Sequence, residues 1–215
     1  MTGSDKYLQP GAYIDSDHPA VADFARKAVR GTTDIERAVS LYYAVRDGIL
    51  YNPFLDFTVD SAYRASSCLE AGEGFCVGKA ALLAACARVE GIPARVGFAD
   101  VKNHLSTPRL LEYIGSDLFI YHGYTEFLLD GKWVKATPAF NLALCTKFHV
   151  KPLEFDGRND SIFPTYDAAG RRHMEYVRDR GSFVDVPAAQ IQQAFREFYP
   201  KLYGLGGQAT RESFG

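Results

Sequence analysis

No run of about twenty apolar residues, the length a membrane span requires, occurs in this chain of 215 residues. A basic excess is equally absent. Lys and Arg total 24 against 26 Asp and Glu, a formal charge of −2, so nothing is in surplus to neutralise a phosphate backbone and no nucleic-acid partner is expected. The opening segment MTGSDKYLQPGAYIDSD lacks the apolar stretch of a secretory signal. The four cysteines are irregularly spaced, with no CxxC pair. That argues against both a disulfide framework and a zinc site built from Cys68, Cys86, Cys145 and His149. No internal repeat or low-complexity tract is present. These absences predict a cytoplasmic, reduced protein with no membrane contact and no metal. Its oligomeric state is left open. What is present is ordinary globular material, 47% apolar and 23% charged. The length suits one domain able to bury roughly 70% of its unfolded surface.

Helical periodicity predicts a first helix to Val29, capped by Ser16 or Asp17 with Pro19 in its first turn. A second opens at Thr32-Thr33-Asp34 and carries Ile35, Ala38, Val39, Tyr42 and Val45 on one stripe. Residues 49–57, interrupted by Asn52-Pro53, predict a loop. The Ala- and Leu-rich run from Cys76 to Glu90, stopped by Gly91, is apolar almost all round and predicts a buried central helix. A short strand follows over 94–98, then a longer one over 119–129. Asp130-Gly131, a two-residue hairpin signal, joins the latter to a partner over 132–136. Beyond Asn141 the pattern weakens until a closing helix over 187–203 and a Gly-rich tail. The division expected is an N-terminal part with the core over 1–141 and an extension of the same domain over 142–215.

Cys76 is distinguished by position. At a helix start the dipole favours thiolate over thiol, which predicts a depressed pKa, and free amides there can cradle an oxyanion. Gly72 and Gly74 allow a tight turn and close approach of a substrate. The competing reading is a small hydrophobe at a turn. An ungapped hairpin pairs Tyr124 with Thr137, Glu126 with Lys135 and Leu128 with Trp133. It places His122, Tyr124 and Glu126 on one strand face with Thr137 diagonal to His122.

Gly74-x-Cys76 opening an Ala/Leu helix, Gly91-Ile92-Pro93-Ala94-Arg95, His122-x-Tyr124-x-Glu126 and Asp130-Gly131-Lys132-Trp133 together resemble the transglutaminase-like superfamily over about residues 35–141. The resemblance implies an α+β, papain-like fold in which the Cys-bearing helix packs on an antiparallel sheet. It implies Cys76 as nucleophile and His122 as base, with no cofactor. The Glu126/Lys135 pair and Trp133 would belong to the supporting hairpin. The activity implied is acyl transfer or hydrolysis on a peptide or small-molecule amide or ester, through a Cys76 thioester.

One position departs from the family. Thr137 stands where members usually carry the aspartate that orients the imidazole. Three readings follow: Thr137 is a weaker third member, a carboxylate such as Asp156 or Asp160 replaces it, or the chain is a catalytically degenerate binding module. Tyr51, Tyr124 and His104 are candidates for the substrate-binding wall, as is Asn103 beside His104, and Tyr121 is a further aromatic candidate. The basic run Arg171, Arg172, His173, Arg178 and Arg180 reads either as an anion site or as a solvated connection.

Overall fold

The first two helices begin where the sequence places them, by different means. Helix α2 (Asp34–Gly48) opens on a reciprocal capping box. The Thr33 hydroxyl accepts the Glu36 amide at 3.2 Å, and the Glu36 carboxylate accepts the Thr33 amide at 3.1 Å. Helix α1 (Pro19–Ala28) has Pro19 in its first turn, but its cap is His18, with no side-chain bond. Neither Ser16 nor Asp17 takes that role. The computed structural model describes residues 5–104, 106–166, 170 and 173–204; the expected Gly-rich tail lies almost wholly outside them.

Helix α4 (Cys76–Val89) occupies the centre, with every residue from Cys76 to Arg88 buried. On one side it contacts α1, α2 and α3 (Ala65–Ala71); on the other it packs on strands β3 (Ala94–Asn103) and β4 (Leu118–Leu129). The approach to β4 is close. A Cβ at Gly123 would stand 3.0 Å from the Val77 Cα, and the Thr125 hydroxyl donates to the Ala80 carbonyl at 2.8 Å. Lys79 is fully buried, and its Nζ donates to the carbonyls of Arg46 at 2.9 Å and Ile49 at 2.6 Å. Those oxygens end α2, where a cation is favoured, so one side chain fastens the Cys76 helix to its neighbour.

The main sheet is antiparallel in the order β5-β4-β3-β6, with β5 (Lys132–Ala136) and β6 (Met174–Phe183) at its edges. The hairpin register is as predicted for Glu126 with Lys135 and Leu128 with Trp133. It stops one pair early. Thr125 opposite Ala136 is the last pair, because the Thr137 amide turns to the Ser161 carbonyl at 3.0 Å. Tyr124 and Thr137 are therefore not paired. Glu126 makes its ion pair with Arg95, whose guanidinium lies 4.0 Å from the Trp133 ring centre; Lys135 lies instead over the Tyr124 ring at 4.8 Å.

Other expectations need correction. Residues 49–57 include strand β1 (Leu50–Tyr51), parallel to β2 (Glu73–Gly74). The strand expected over 94–98 runs on to Asn103. Helices α5 (Pro108–Ile114) and α6 (Leu142–Lys147) and the whole of β6 lie where no element was predicted. The closing helix is two, α7 (Ala188–Phe198) and α8 (Pro200–Gly204), since Pro200 has no amide to continue the ladder.

A bulge interrupts β4 just before His122. Ala99 pairs with His122 but Val101 with Phe119, which leaves one extra residue on β4. Tyr121 absorbs it with φ of 55°, a left-handed conformation costing of order 1 kcal/mol or more for such a side chain. Its amide leaves the ladder for the Asp100 carboxylate at 3.1 Å, and Asp100 is gripped by Arg180 at 2.8 to 3.0 Å. The same guanidinium lies 4.6 Å from the Tyr121 ring centre, and the Tyr121 hydroxyl accepts from Gln190 at 2.8 Å. Bulges re-aim the side chains beside them; here the neighbour is His122.

Candidate active site

Cys76 begins α4 because the chain enters it through β2 and an extended Phe75, whose side chain makes no cap bond. The first amides of the helix are thus not taken up by a capping side chain. The backbone amides of Gly123, Val77 and Cys76 itself favour the anion of the sulfur, but burial outweighs them and pushes the thiol up to about 11. The depressed pKa expected from the helix start is therefore overturned. Dipole and amides act within a residue that is only 8% exposed, and desolvation of a thiolate is the larger effect.

His122 is 6% exposed, and burial alone pulls its imidazole down to about 4. Both groups are therefore uncharged at neutral pH. They line one cavity of about 110 Å³, walled also by Tyr51, Asn103, Tyr121, Phe140 and Tyr199. The Tyr51 phenol is held well above its ordinary pKa by burial and by the neighbouring Cys76 sulfur. The His122 ring packs against Phe163 at 5.9 Å, which in turn contacts His173 at 5.4 Å and Phe140 at 4.9 Å between ring centres.

The candidate third member stands apart from this pair. Thr137 is buried and does not line the cavity, and its Oγ1 makes no hydrogen bond. Its carbonyl accepts from the Tyr42 hydroxyl at 3.2 Å. The His122 Nε2 is likewise buried without a partner, so Thr137 does not hold the ring. Nor do the two aspartates. Asp156 accepts the amides of Arg158 and Asn159, each at 2.8 Å, which hold its carboxyl at about 2; Asp160 accepts the Lys135 amide at 3.0 Å.

Tyr51 and Asn103 stand on the cavity wall; Tyr124 and His104 do not. Tyr124 fills the space beside Gly97, where any Cβ would meet its ring, and His104 pairs on the surface with Glu175 at 3.2 Å. Of the basic run, Arg171 and Arg172 lie outside the described residues, Arg180 serves Asp100, and His173 lines the cavity. Phe140, His173 and Tyr199 were not singled out from sequence as wall residues. Each reaches the site through a long-range contact with no local pattern. Among the described residues no cluster of three His, Cys, Asp or Glu side chains could hold a metal, and no helix is long and apolar enough to cross a membrane.

A cysteine at the start of a buried helix, packed on an antiparallel sheet that carries a histidine, defines a class of α+β protein. Residues 22–138 match the family model of the transglutaminase-like superfamily, and the chain belongs to that family. It is similar in fold to a candidate cysteine protease from Cytophaga hutchinsonii, at 16% identity and a TM-score of 0.52 over 88% of this chain. The chain spans about half the length of that protein, covering 50% of it. A weaker likeness is to a candidate protease from Parabacteroides distasonis, at 16% identity and a TM-score of 0.39, covering 62% of this chain and 25% of that one. No curated protein matches the sequence.

Proposed function

We propose that this protein performs acyl chemistry, with Cys76 attacking the carbonyl of an amide, peptide or ester and His122 taking the thiol proton. The observation that carries this reading is the shared cavity, which brings together the helix-start sulfur, whose anion the nearby backbone amides favour, and a histidine whose Nε2 makes no hydrogen bond. With burial pushing the thiol up to about 11 and the imidazole down to about 4, both groups rest neutral, so proton transfer accompanies attack rather than preceding it. The amides of Val77 and Gly123, which favour negative charge at the sulfur, would share charge developing on a bound carbonyl oxygen. The thioester then yields to water, giving an acid, or to an amine, giving a new amide.

The test is intact-mass detection of a Cys76 acyl adduct from an activated ester. Cys76→Ala abolishes it, Cys86→Ala preserves it, and His122→Ala slows turnover by about 10²–10⁴ while the protein stays folded. Unchanged turnover in folded His122→Ala refutes the dyad.

One observation favours a second reading, a degenerate module that binds in the same cavity without turnover. Among the described residues no carboxylate or hydroxyl holds the His122 ring. A protein that binds an amide reversibly yet never acylates Cys76 would establish that reading instead.

A further inference from the structure

The walls of the cavity specify what enters it. Among the described residues that line it there is no Asp, Glu, Lys or Arg. Besides Cys76 and His122 the polar side chains are Asn103, Ser106, Thr107, Cys145 and His173 with three tyrosines, and the rest is aromatic or aliphatic. Much of this lining lies beyond residue 138, where the family match ends. Phe140, just before α6, and Leu144, Met174, Phe195 and Leu202, on α6, β6, α7 and α8, come from the chain after β5. They close against Leu110 of α5 and Phe57 from the opposite side. The family core thus supplies the sulfur, the imidazole and part of the apolar wall, including Phe57, Phe75, Val101 and Leu110, and elements added after it complete the chamber.

Resting on the function proposed above, we infer that the group delivered to Cys76 is an uncharged, apolar acyl group of about five carbons. A chamber without charge cannot compensate a desolvated carboxylate or ammonium, so charged acyl groups are rejected. Size follows from volume: an apolar cavity of about 150 Å³ takes a benzene ring, and this one is about 110 Å³. Two sources present that chemistry, a simple aliphatic acyl chain and a peptidyl group ending in an apolar residue. In either, the C–S bond forms as the bond to the leaving oxygen or nitrogen breaks. The thiol proton passes through His122 to the leaving group, and water releases the acid and restores the thiol.

The experiment compares p-nitrophenyl acetate, butyrate, pentanoate, decanoate and monoglutarate, with the ester of N-acetylleucine as the peptidyl arm, each rate divided by its uncatalysed hydrolysis. Expected is a rise in kcat/KM of roughly fourfold per methylene up to pentanoate, the ratio equivalent to about 0.8 kcal/mol per buried methylene, and a plateau by decanoate. Glutarate falls at least tenfold below pentanoate. Pentanoate above the leucyl ester assigns the aliphatic source and the reverse order the peptidyl one; both support the apolar class. Acetate or glutarate equal to pentanoate overturns it. Leu202→Lys, at a half-buried wall position where a lysine stem can lie along the apolar surface, shifts the glutarate-to-pentanoate ratio upward at least tenfold; no shift counts against the chamber as the acyl site.

A separate arm distinguishes this inference from the catalytic one. Calorimetry on Cys76→Ser with N-butylpentanamide and with the monobutylamide of glutaric acid needs no turnover. Tighter binding of the uncharged amide by tenfold or more supports the apolar chamber even if no ester acylates Cys76, and equal binding overturns it even if acylation occurs.

Discussion

A histidine buried without a partner makes the protein sensitive to acid in a way that can be assigned to one residue. The imidazole of His122 sits near 4 in the folded chain, against about 6.5 when unfolded. Above pH 6.5 the ring is neutral in both states and costs nothing. As pH falls below 6.5 the unfolded chain takes up the proton first, so it binds more protons than the folded one and stability is lost. The loss is complete once pH passes below about 4. A gap of roughly 2.5 units is worth about 3 kcal/mol in full and about 2 kcal/mol by pH 5. His122→Gln removes the titrating group while every other carboxylate and histidine remains. Urea denaturation of both proteins at pH 7, 6, 5 and 4.5 therefore isolates the residue: the wild type loses about 2 kcal/mol more than the variant between pH 7 and 5. Under the proposed function activity carries the same signature, since a histidine serves as base only when neutral. The acid limb of kcat/KM lies near pH 4 rather than near 6.5. Equal pH slopes in the two proteins, or an NMR titration of His122 with its midpoint at 6.5 or above, refutes the argument.

The remaining expectations concern the sulfur, the third position and the buried lysine. Cys76 alkylation by iodoacetamide is slow at pH 7 and rises with a midpoint near 11; a midpoint below 8.5 would show that the amides at the helix start outweigh burial. Thr137→Ala lowers turnover less than tenfold, because its hydroxyl makes no hydrogen bond. A loss matching that of His122→Ala would make Thr137 a full partner. Lys79, held near 7 by burial, stays protonated in the unfolded chain up to about 10.4, so the unfolded state binds more protons between those values and stability rises with pH. Urea melts at pH 8 and 10 show wild type gaining up to about 1.4 kcal/mol per pH unit over Lys79→Met; parallel curves would place the Lys79 ammonium in a solvated environment.

Much of the framework could be read from local pattern. The capping box at Thr33, the apolar run after Cys76 and the Asp130-Gly131 turn each act over a few residues, and each element formed in place. The hairpin register followed from the turn alone, until Ser161 drew Thr137 out of the ladder. That one contact, between residues far apart in sequence, undid the expected placement of the third site residue. The bulge at Tyr121 is of the same kind. Nothing around Tyr121 announces a left-handed residue; it is held by Asp100, Arg180 and Gln190, which the fold brings together from three elements. Strand β6 and the cavity walls after residue 138 were hidden because an edge strand rich in charge, Glu175 to Arg180, has no continuous apolar face to betray it.

The pKa of Cys76 carries the sharper lesson, because position and burial pull it in opposite directions. A helix terminus contributes at most about 2 kcal/mol to a nearby charge, or roughly 1.5 pKa units, and the amides of Gly123 and Val77 add to it. Full desolvation is worth up to 3–5 units, and the Cys76 helix is buried along almost its whole length. The same Ala/Leu composition that identifies the helix as central therefore keeps its first residue protonated. Burial acts on His122 in the complementary sense, so the two side chains rest neutral, and under the proposed function the proton transfer between them is coupled to attack. A substrate that fills the apolar chamber excludes water further and strengthens the field of the backbone amides at the moment charge appears on the carbonyl oxygen. An acyl group too short to fill it leaves that charge partly in water, where the same amides are worth less. Rate should then follow chamber filling through kcat as well as KM.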